Sequence, residues 1–229
     1  MFTRKKRLLI ISIFVAVVVV ANIFFPVIKA VSSSPKYKYV VVIDAGHGAR
    51  DGGCVGANGS IEKELNLKYA MTLRDLLNTK NIKVVMTRED DKALYDEDSS
   101  NKKITEMKAR EKVIKKAKPD LVISIHMNSF GLRSAKGARA FYGTENEKGK
   151  TLADNVQKSM HYYAGARGTS STKGDYYILN CTSYPSILVE CGYISNPEEE
   201  ALLNTDDYRK KLMHSVFCGV LVYLGFNFY

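Results

Sequence analysis

The sequence has few of the residues that build a cysteine-ligated metal cluster or a disulfide framework. Its four cysteines include no CxxC pair, so a four-thiolate zinc site finds no support. We expect all four to be free thiols, because a small, mostly buried side chain is the usual role of an isolated cysteine. Internal repeats and low-complexity tracts are also absent, and the 45% hydrophobic content excludes a disordered or collagen-like chain.

Charge is unevenly distributed along the chain. The first 35 residues hold five of the 34 basic residues and none of the 24 acidic residues. The remainder is only mildly basic, with a net charge of +5. That balance gives no reason to expect a nucleic-acid partner. An anionic wall polymer or an anionic membrane surface fits it equally well.

The N-terminus has the pattern of an export segment. A basic cluster at Arg4–Arg7 precedes an apolar run from Leu8 to Ile28, which is long enough to span a bilayer. The basic flank stays on the cytoplasmic side, so we expect the rest of the chain to be exported. A cleaved signal peptide and a retained membrane anchor both remain open. We therefore predict a signal or anchor with a short linker at residues 1–35 and one domain at residues 36–229.

Hydrophobic periodicity after residue 36 predicts alternating strands and helices. The predicted strands are Tyr39–Ile43, Ile82–Met86, Leu121–Ile125, Ala138–Tyr142, Tyr176–Leu179 and Ile187–Glu190. The predicted helices are Glu64–Asn78, Ile104–Lys118, Glu147–Tyr163, Pro197–Leu203 and Tyr208–Leu224. This order predicts an α/β fold, with a central, twisted, mostly parallel sheet flanked by helices.

Polar residues at the ends of predicted strands indicate where a site lies. Ligands of open α/β sheets bind beyond the carboxyl ends of the strands. Two of the four histidines, His47 and His126, lie at such ends, and Glu190 ends a later strand. Glu62 lies 15 residues after His47, just ahead of the first helix. Two imidazoles and a carboxylate with an open fourth position form a catalytic zinc set, and a further carboxylate adds a proton acceptor.

Alternatives remain at several positions. Glu64 competes as the carboxylate ligand, although it opens an amphipathic helix, where an acid favours the N-terminal dipole. His161 and His214 lie within predicted helices and are expected at the surface. Asp44 either orients the imidazole of His47 or serves as a turn residue at the strand end.

Five motifs, in order, resemble those of the zinc-dependent N-acetylmuramoyl-L-alanine amidases of the amidase-3 family. They are Val41–Gly48 with Asp51–Gly56, Glu62–Leu67, Thr87–Asp91, Ser124–Ser129 and Pro185–Glu199. Several motifs in family order are far more specific than any one of them. Within the family, the single-domain layout and the Lys103–Arg110 segment most resemble the germination-specific spore-cortex amidases.

The resemblance implies an exported enzyme that cleaves the amide between N-acetylmuramic acid and L-alanine of peptidoglycan. It implies that His47, Glu62 and His126 bind one Zn²⁺ and that Glu190 is the catalytic carboxylate. It also implies a role in spore-cortex maturation, through muramic δ-lactam formation, and in germination, with the protein at the forespore envelope.

Further contacts and partners are expected around this site. Arg88, Asn128 and Ser129 lie at the same sheet edge and are candidate substrate contacts, with loop and helix packing as the alternative. Besides peptidoglycan, the expected partners are the membrane, if the N-terminal segment is retained, and an extracytoplasmic activating protein. The latter would order a site that has only three protein ligands and a glycine-rich loop at Gly165–Gly174.

Two other functional classes stay open. One is another exported wall metallohydrolase, such as a peptidase or a deacetylase. The other is a non-catalytic peptidoglycan-binding module, which would be expected to lose one of the histidines or carboxylates that this sequence keeps.

Overall fold

The structure is a computed structural model that describes residues 6, 13, 15–20, 22, 37–94 and 101–226. The chain divides into two units, Met1–Lys36 and Tyr37–Tyr229. Most of the predicted export segment, including all but one residue of its basic cluster, lies outside the described residues, and the residues described there are helical. Among the residues that the structure describes, no helix is both long and apolar enough to cross a membrane.

A six-stranded sheet forms the centre of the second unit. Its strands are β1 (Tyr39–Ala45), β2 (Ile82–Met86), β3 (Leu121–Asn128), β4 (Arg139–Tyr142), β5 (Thr172–Lys173) and β6 (Ser186–Tyr193). They lie in the order β2-β1-β3-β6-β4-β5. Strands β2, β1, β3 and β6 run parallel, β4 is antiparallel to β6, and β5 is parallel to β4. The parallel strands therefore deliver their carboxyl ends to one edge of the sheet.

Helices cover both faces of the sheet. They are α1 (Glu62–Asn78), α2 (Lys102–Ala117), α3 (Glu147–Ala164), α4 (Tyr177–Asn180), α5 (Pro197–Leu203) and α6 (Asp206–Tyr223). Val41 and Ile43 of β1 pack in a core shared with α1, α3 and α6, whereas Val42 packs with α2 and α4. Because both faces are covered, the strands are apolar on both sides, as buried parallel strands must be. The predicted mostly parallel α/β fold is confirmed.

Two local predictions are wrong. The segment Tyr176–Leu179, predicted as a strand, instead contains α4, and the Gly165–Gly174 loop contains β5. A short apolar run does not distinguish a strand from a buried helical turn. Strand β6 pairs with β3 on one side and β4 on the other, so it has no free edge for a further strand. Ile178 and Leu179 instead bury their side chains as a helical turn on the sheet face that α2 covers.

Candidate metal centre

Three side chains from three elements meet at the carboxyl edge of the sheet. His47 follows β1, Glu62 begins α1 and His126 lies in β3. The Oε1 atom of Glu62 lies 3.2 Å from Nε2 of His47 and 3.0 Å from Nδ1 of His126. One donor atom of each residue lies within 4.8 Å of the others, so the three could hold a metal ion. Two imidazoles and one carboxylate are a donor set that suits zinc.

The carboxylate of Glu62 is buried and well supplied with donors. Its Oε2 atom accepts a hydrogen bond from the backbone N–H of Cys54 (2.9 Å), and Oε1 accepts one from Asn66 (3.2 Å). Burial raises the pKa of Glu62, but the two histidines outweigh it and hold that pKa well below its usual range. Glu64, the competing ligand, is exposed on the other side of α1.

The loop after β1 holds His47 in a left-handed backbone conformation, with φ 59°. Such a conformation costs a non-glycine residue about 1 kcal/mol. Two buried guanidinium groups secure the loop. Arg110 donates to the carbonyls of Ala45 (2.9 Å) and His47 (2.6 Å), and Arg88 donates to those of Ala45 (2.9 Å) and Gly46 (3.0 Å). These bonds offset the strain and fix the direction of the imidazole.

Arg88 packs against the loop, which is the alternative to substrate contact that the sequence leaves open for it. Its side chain is only 4% exposed. Beyond the loop carbonyls already described, it donates to the carbonyls of Lys63 (2.7 Å) and Asp90 (3.1 Å). The hydrogen bonds of Arg88 therefore go to the backbone of the protein, which supports a packing role for this side chain.

Asp44 is the anchor of a buried polar network beneath the loop. It accepts hydrogen bonds from Arg110 (2.5 Å), Thr87 (2.7 Å) and Ser124 (2.6 Å). Burial raises the pKa of Asp44, but the Arg110 charge and the hydroxyl donors outweigh it and hold that pKa at about 2. Of its two predicted roles, the structure assigns Asp44 to the strand end, because its oxygens bond these three groups.

The residue that contacts the far side of His47 is Asp51. Its Oδ2 atom lies 2.8 Å from Nδ1 of His47, the ring nitrogen opposite the one that faces Glu62. An acceptor on Nδ1 leaves Nε2 free to bind a metal. Sequence reasoning missed this role, although Asp51 lies four residues after His47 within the first motif.

Glu190 lies in β6 directly opposite His126 of β3. It is 7% exposed, and its buried Oε2 atom has no hydrogen-bond partner. Burial raises the pKa of Glu190 to about 7. A buried carboxylate without a donor is costly in a finished structure. This unsatisfied oxygen beside the cluster therefore fits a site that takes a metal ion and a water molecule.

A cavity of about 460 Å³ opens over the cluster. Asn128 and Ser129, the other two candidate substrate contacts, line it. Lys103 and Met107 of α2 and Tyr176 before α4 form another part of its wall. The sequence marks Lys103 and Met107 only as part of the Lys103–Arg110 segment, because it does not show which face of α2 turns toward the site. The apolar pattern around Tyr176 predicts a strand, so Tyr176 is not expected there.

The two remaining histidines lie away from the cavity. His161 and His214 are both exposed, as expected. The four cysteines are free thiols, and among them Cys54 lines the cavity and Cys191 is buried.

Comparison with known proteins identifies the family. A family model described as N-acetylmuramoyl-L-alanine amidase matches residues 41–221. The germination-specific N-acetylmuramoyl-L-alanine amidase of Bacillus subtilis (strain 168) is 34% identical over 198 residues, which cover 83% of this chain and 82% of that protein. The probable cell wall amidase LytH of Staphylococcus epidermidis (strain RP62A) is 29% identical over 206 residues, which cover 89% of this chain and 65% of that protein.

Solved structures share the fold. The CwlD amidase of Clostridioides difficile, solved in complex with the GerS lipoprotein, aligns with a TM-score of 0.78 and 30% identity over 82% of this chain and 98% of that one. The catalytic domain of CwlV, an N-acetylmuramoyl-L-alanine amidase from Bacillus (Paenibacillus) polymyxa var. colistinus, aligns with a TM-score of 0.72 and 32% identity over 81% and 98%. The chain therefore belongs to the N-acetylmuramoyl-L-alanine amidase family of enzymes.

Proposed function

We propose that this amidase uses a Zn²⁺ ion held by His47, Glu62 and His126 to cleave the bond between the lactyl group of N-acetylmuramic acid and L-alanine in peptidoglycan. Membership of the amidase family supports this identification of the bond that is cut. The observation that carries the mechanism is the unpartnered, buried carboxylate oxygen of Glu190 beside the three potential ligands.

The residues divide the chemistry among them. Zinc bound by this set supplies a Lewis acid that activates water and polarises the scissile carbonyl. Asp51 contacts Nδ1 of His47, which would leave Nε2 of that ring free to hold a zinc ion. Glu190 takes the proton of the attacking water and passes it to the leaving nitrogen of L-alanine. Burial raises the pKa of Glu190 above its ordinary value, which favours its protonated form as the donor to the leaving nitrogen.

The cavity wall supplies groups for the peptide and lactyl parts of the substrate. We propose Asn128 and Ser129 as substrate contacts, since both lie at the end of β3, within three residues of His126. An amide and a hydroxyl group can each donate to and accept from a substrate amide. The mixture of polar and apolar lining suits a ligand with amide groups and methyl groups.

We further propose that the enzyme acts outside the cytoplasm, in the spore cortex, on the way to muramic δ-lactam and germination. The basic and apolar pattern of residues 1–35 supports export, and the germination-specific relative supports the spore role. The CwlD relative was solved with a lipoprotein. An exported lipoprotein is therefore the class of activating partner that we propose for this chain.

Mass spectrometry of muropeptides after incubation with the zinc-loaded protein tests this function. An amidase frees the amino terminus of L-alanine and releases no acetate. Free acetate would instead show a deacetylase, a cut within the stem peptide would show a peptidase, and an unchanged substrate would favour a binding module. Glu190→Gln should abolish the products. The matched control is Glu64→Gln, which changes an exposed carboxylate of α1 and should leave the products unchanged.

A further inference from the structure

A group of exposed lysines surrounds the edge of the sheet opposite the metal centre. Strands β1, β2 and β3 begin there, as shown by the hydrogen bonds from Lys38 N to Asn81 O (3.1 Å) and from Asp120 N to Val40 O (2.8 Å). We call this group the basic edge. It consists of Lys38, Lys80, Lys83, Lys115, Lys116 and Lys118, all of them exposed.

Few acids offset this charge. Asp120 accepts a hydrogen bond from Val40 N, and Glu111 pairs with Lys115. Arg74 and Asp75 near the end of α1 pair with each other and cancel, so six lysines against Asp120 and Glu111 leave a net charge of +4 on this part of the surface. Two other acidic residues at this end of the sheet, Glu145 and Glu147, follow β4. They lie in the half of the sheet formed by β6, β4 and β5, away from the lysines near β2, β1 and β3.

Helix stability explains only part of the pattern. Lysines in the last turn of α2 interact favourably with the helix dipole, which accounts for Lys115 and Lys116. Lys38 directly precedes β1 and Lys83 lies in β2. A strand has no helix dipole for a lysine to interact with. Like charges gathered without that reason indicate an anionic partner.

Aromatic and apolar groups lie among the lysines. The ammonium group of Lys38 lies 5.1 Å from the ring centroids of both Tyr39 and Phe226. Val222, in the last turn of α6, is 52% exposed, and the Tyr39 hydroxyl donates to the nearby carbonyl of Leu224 (2.8 Å). Lysines mixed with tyrosine and other aromatic rings are typical of surfaces that meet lipid headgroups.

The position of this edge in the chain favours a membrane over a wall polymer. The second unit begins at Tyr37, at the basic edge, and the apolar run predicted from the sequence ends at Ile28. The eight residues between them reach at most about 30 Å when extended. The placement of this edge near the bilayer rests on the proposed export: an N-terminal segment retained in the membrane would keep the start of the second unit, and so the basic edge, within that reach of the bilayer.

We propose that the basic edge docks on anionic lipid headgroups. The metal centre lies at the other end of the strands, and the eight residues of β3 separate the two by about 26 Å. The cavity then opens away from the membrane, toward the wall.

Vesicle co-sedimentation of residues 37–229 tests this surface, since the related CwlV catalytic domain was solved as a separate domain. The probes are phosphatidylcholine vesicles with and without phosphatidylglycerol. The edge variant carries Lys80→Gln, Lys83→Gln and Lys116→Gln. Its matched control carries three Gln substitutions that remove equal charge at exposed lysines away from this edge: Lys136, Lys158 and Lys211.

We expect the wild type and the control to bind phosphatidylglycerol vesicles, more weakly at high salt. The edge variant should bind about a hundredfold more weakly, because each lysine near an anionic surface strengthens binding about fivefold. All three proteins should cleave soluble muropeptides equally, so this result is independent of the proposed hydrolysis. Equal vesicle binding by both variants would overturn the proposal. The proposal would also be overturned if phosphatidylglycerol did not affect vesicle binding and the edge variant instead bound purified wall polymer about a hundredfold more weakly than the wild type. That result would assign the edge to the wall.

Discussion

Gly46 provides a way to disturb the metal centre without removing any ligand. A Cβ atom added at Gly46 would lie 2.2 Å from Cε1 and Nε2 of His126 and 2.7 Å from its Nδ1. Contacts this short do not exist in folded proteins, so the imidazole of His126 must move by more than 1 Å, on the order of the misplacement that cripples a catalytic site. The φ angle of Gly46 does not lie in the left-handed region, so an alanine there adds no backbone strain. The expected effect of Gly46→Ala is therefore steric and local.

We expect Gly46→Ala to fold, with a loss of about 1–3 kcal/mol in unfolding free energy from overpacking. Its zinc affinity should fall by about 10- to 100-fold or more, since a ligand is displaced rather than merely less well supported. Zinc titration followed by metal analysis and thermal unfolding measure the two effects separately.

Gly131→Ala is the matched control. Gly131 lies in the loop after β3, and a Cβ atom there meets no heavy atom within 4 Å. This variant should keep wild-type zinc affinity and turnover. Wild-type zinc affinity in Gly46→Ala would refute the placement of the His126 ring, and an equal loss in both glycine variants would show that the effect is not local.

Three further predictions follow from the same contacts. His126→Ala should lose most of the bound zinc by metal analysis, whereas Glu64→Ala should retain it; equal zinc content would contradict the ligand set. Asp51→Asn should lower zinc affinity or turnover by about 10- to 100-fold, and unchanged kinetics would remove Asp51 from the site. The pKa of Asp44 is about 2 in the fold against an ordinary value of 3.8, so its ionised form stabilises the fold above about pH 4, by about 2 kcal/mol, and this contribution is lost as the pH falls toward 2. Asp44→Asn should therefore be less stable than the wild type at pH 7 in urea unfolding, with a smaller difference at pH 3; a difference that does not depend on pH would contradict the ion pair with Arg110.

Much of the site could be predicted because parallel strands bring their carboxyl ends together. That rule alone places His47, His126 and Glu190 at one edge. The family resemblance and the helix-dipole role of Glu64 favour Glu62 as the ligand. In the structure, Glu62 itself begins α1 and lies on its buried face with Leu65.

The errors concern contacts between distant segments. Arg88 and Asp51 are both polar loop residues, and the sequence does not show that one is buried against loop carbonyls while the other lies beside His47. Asp44 precedes His47 by only three residues, yet its side chain points toward Arg110 of α2. Sequence proximity makes Asp44 one candidate for the orienting residue, but the path of the loop places Asp51 beside His47.

The role of Glu190 is the central claim, and one preparation of Glu190→Gln tests it most directly. Glutamine keeps the shape of the side chain and removes the proton acceptor. The account predicts wild-type zinc content and a melting temperature no lower than that of the wild type, since a buried charge is removed. Muropeptide cleavage should fall by at least about a hundredfold, the low end for a general base. Turnover within a few-fold of the wild type, measured on a zinc-loaded and folded preparation, would contradict the account.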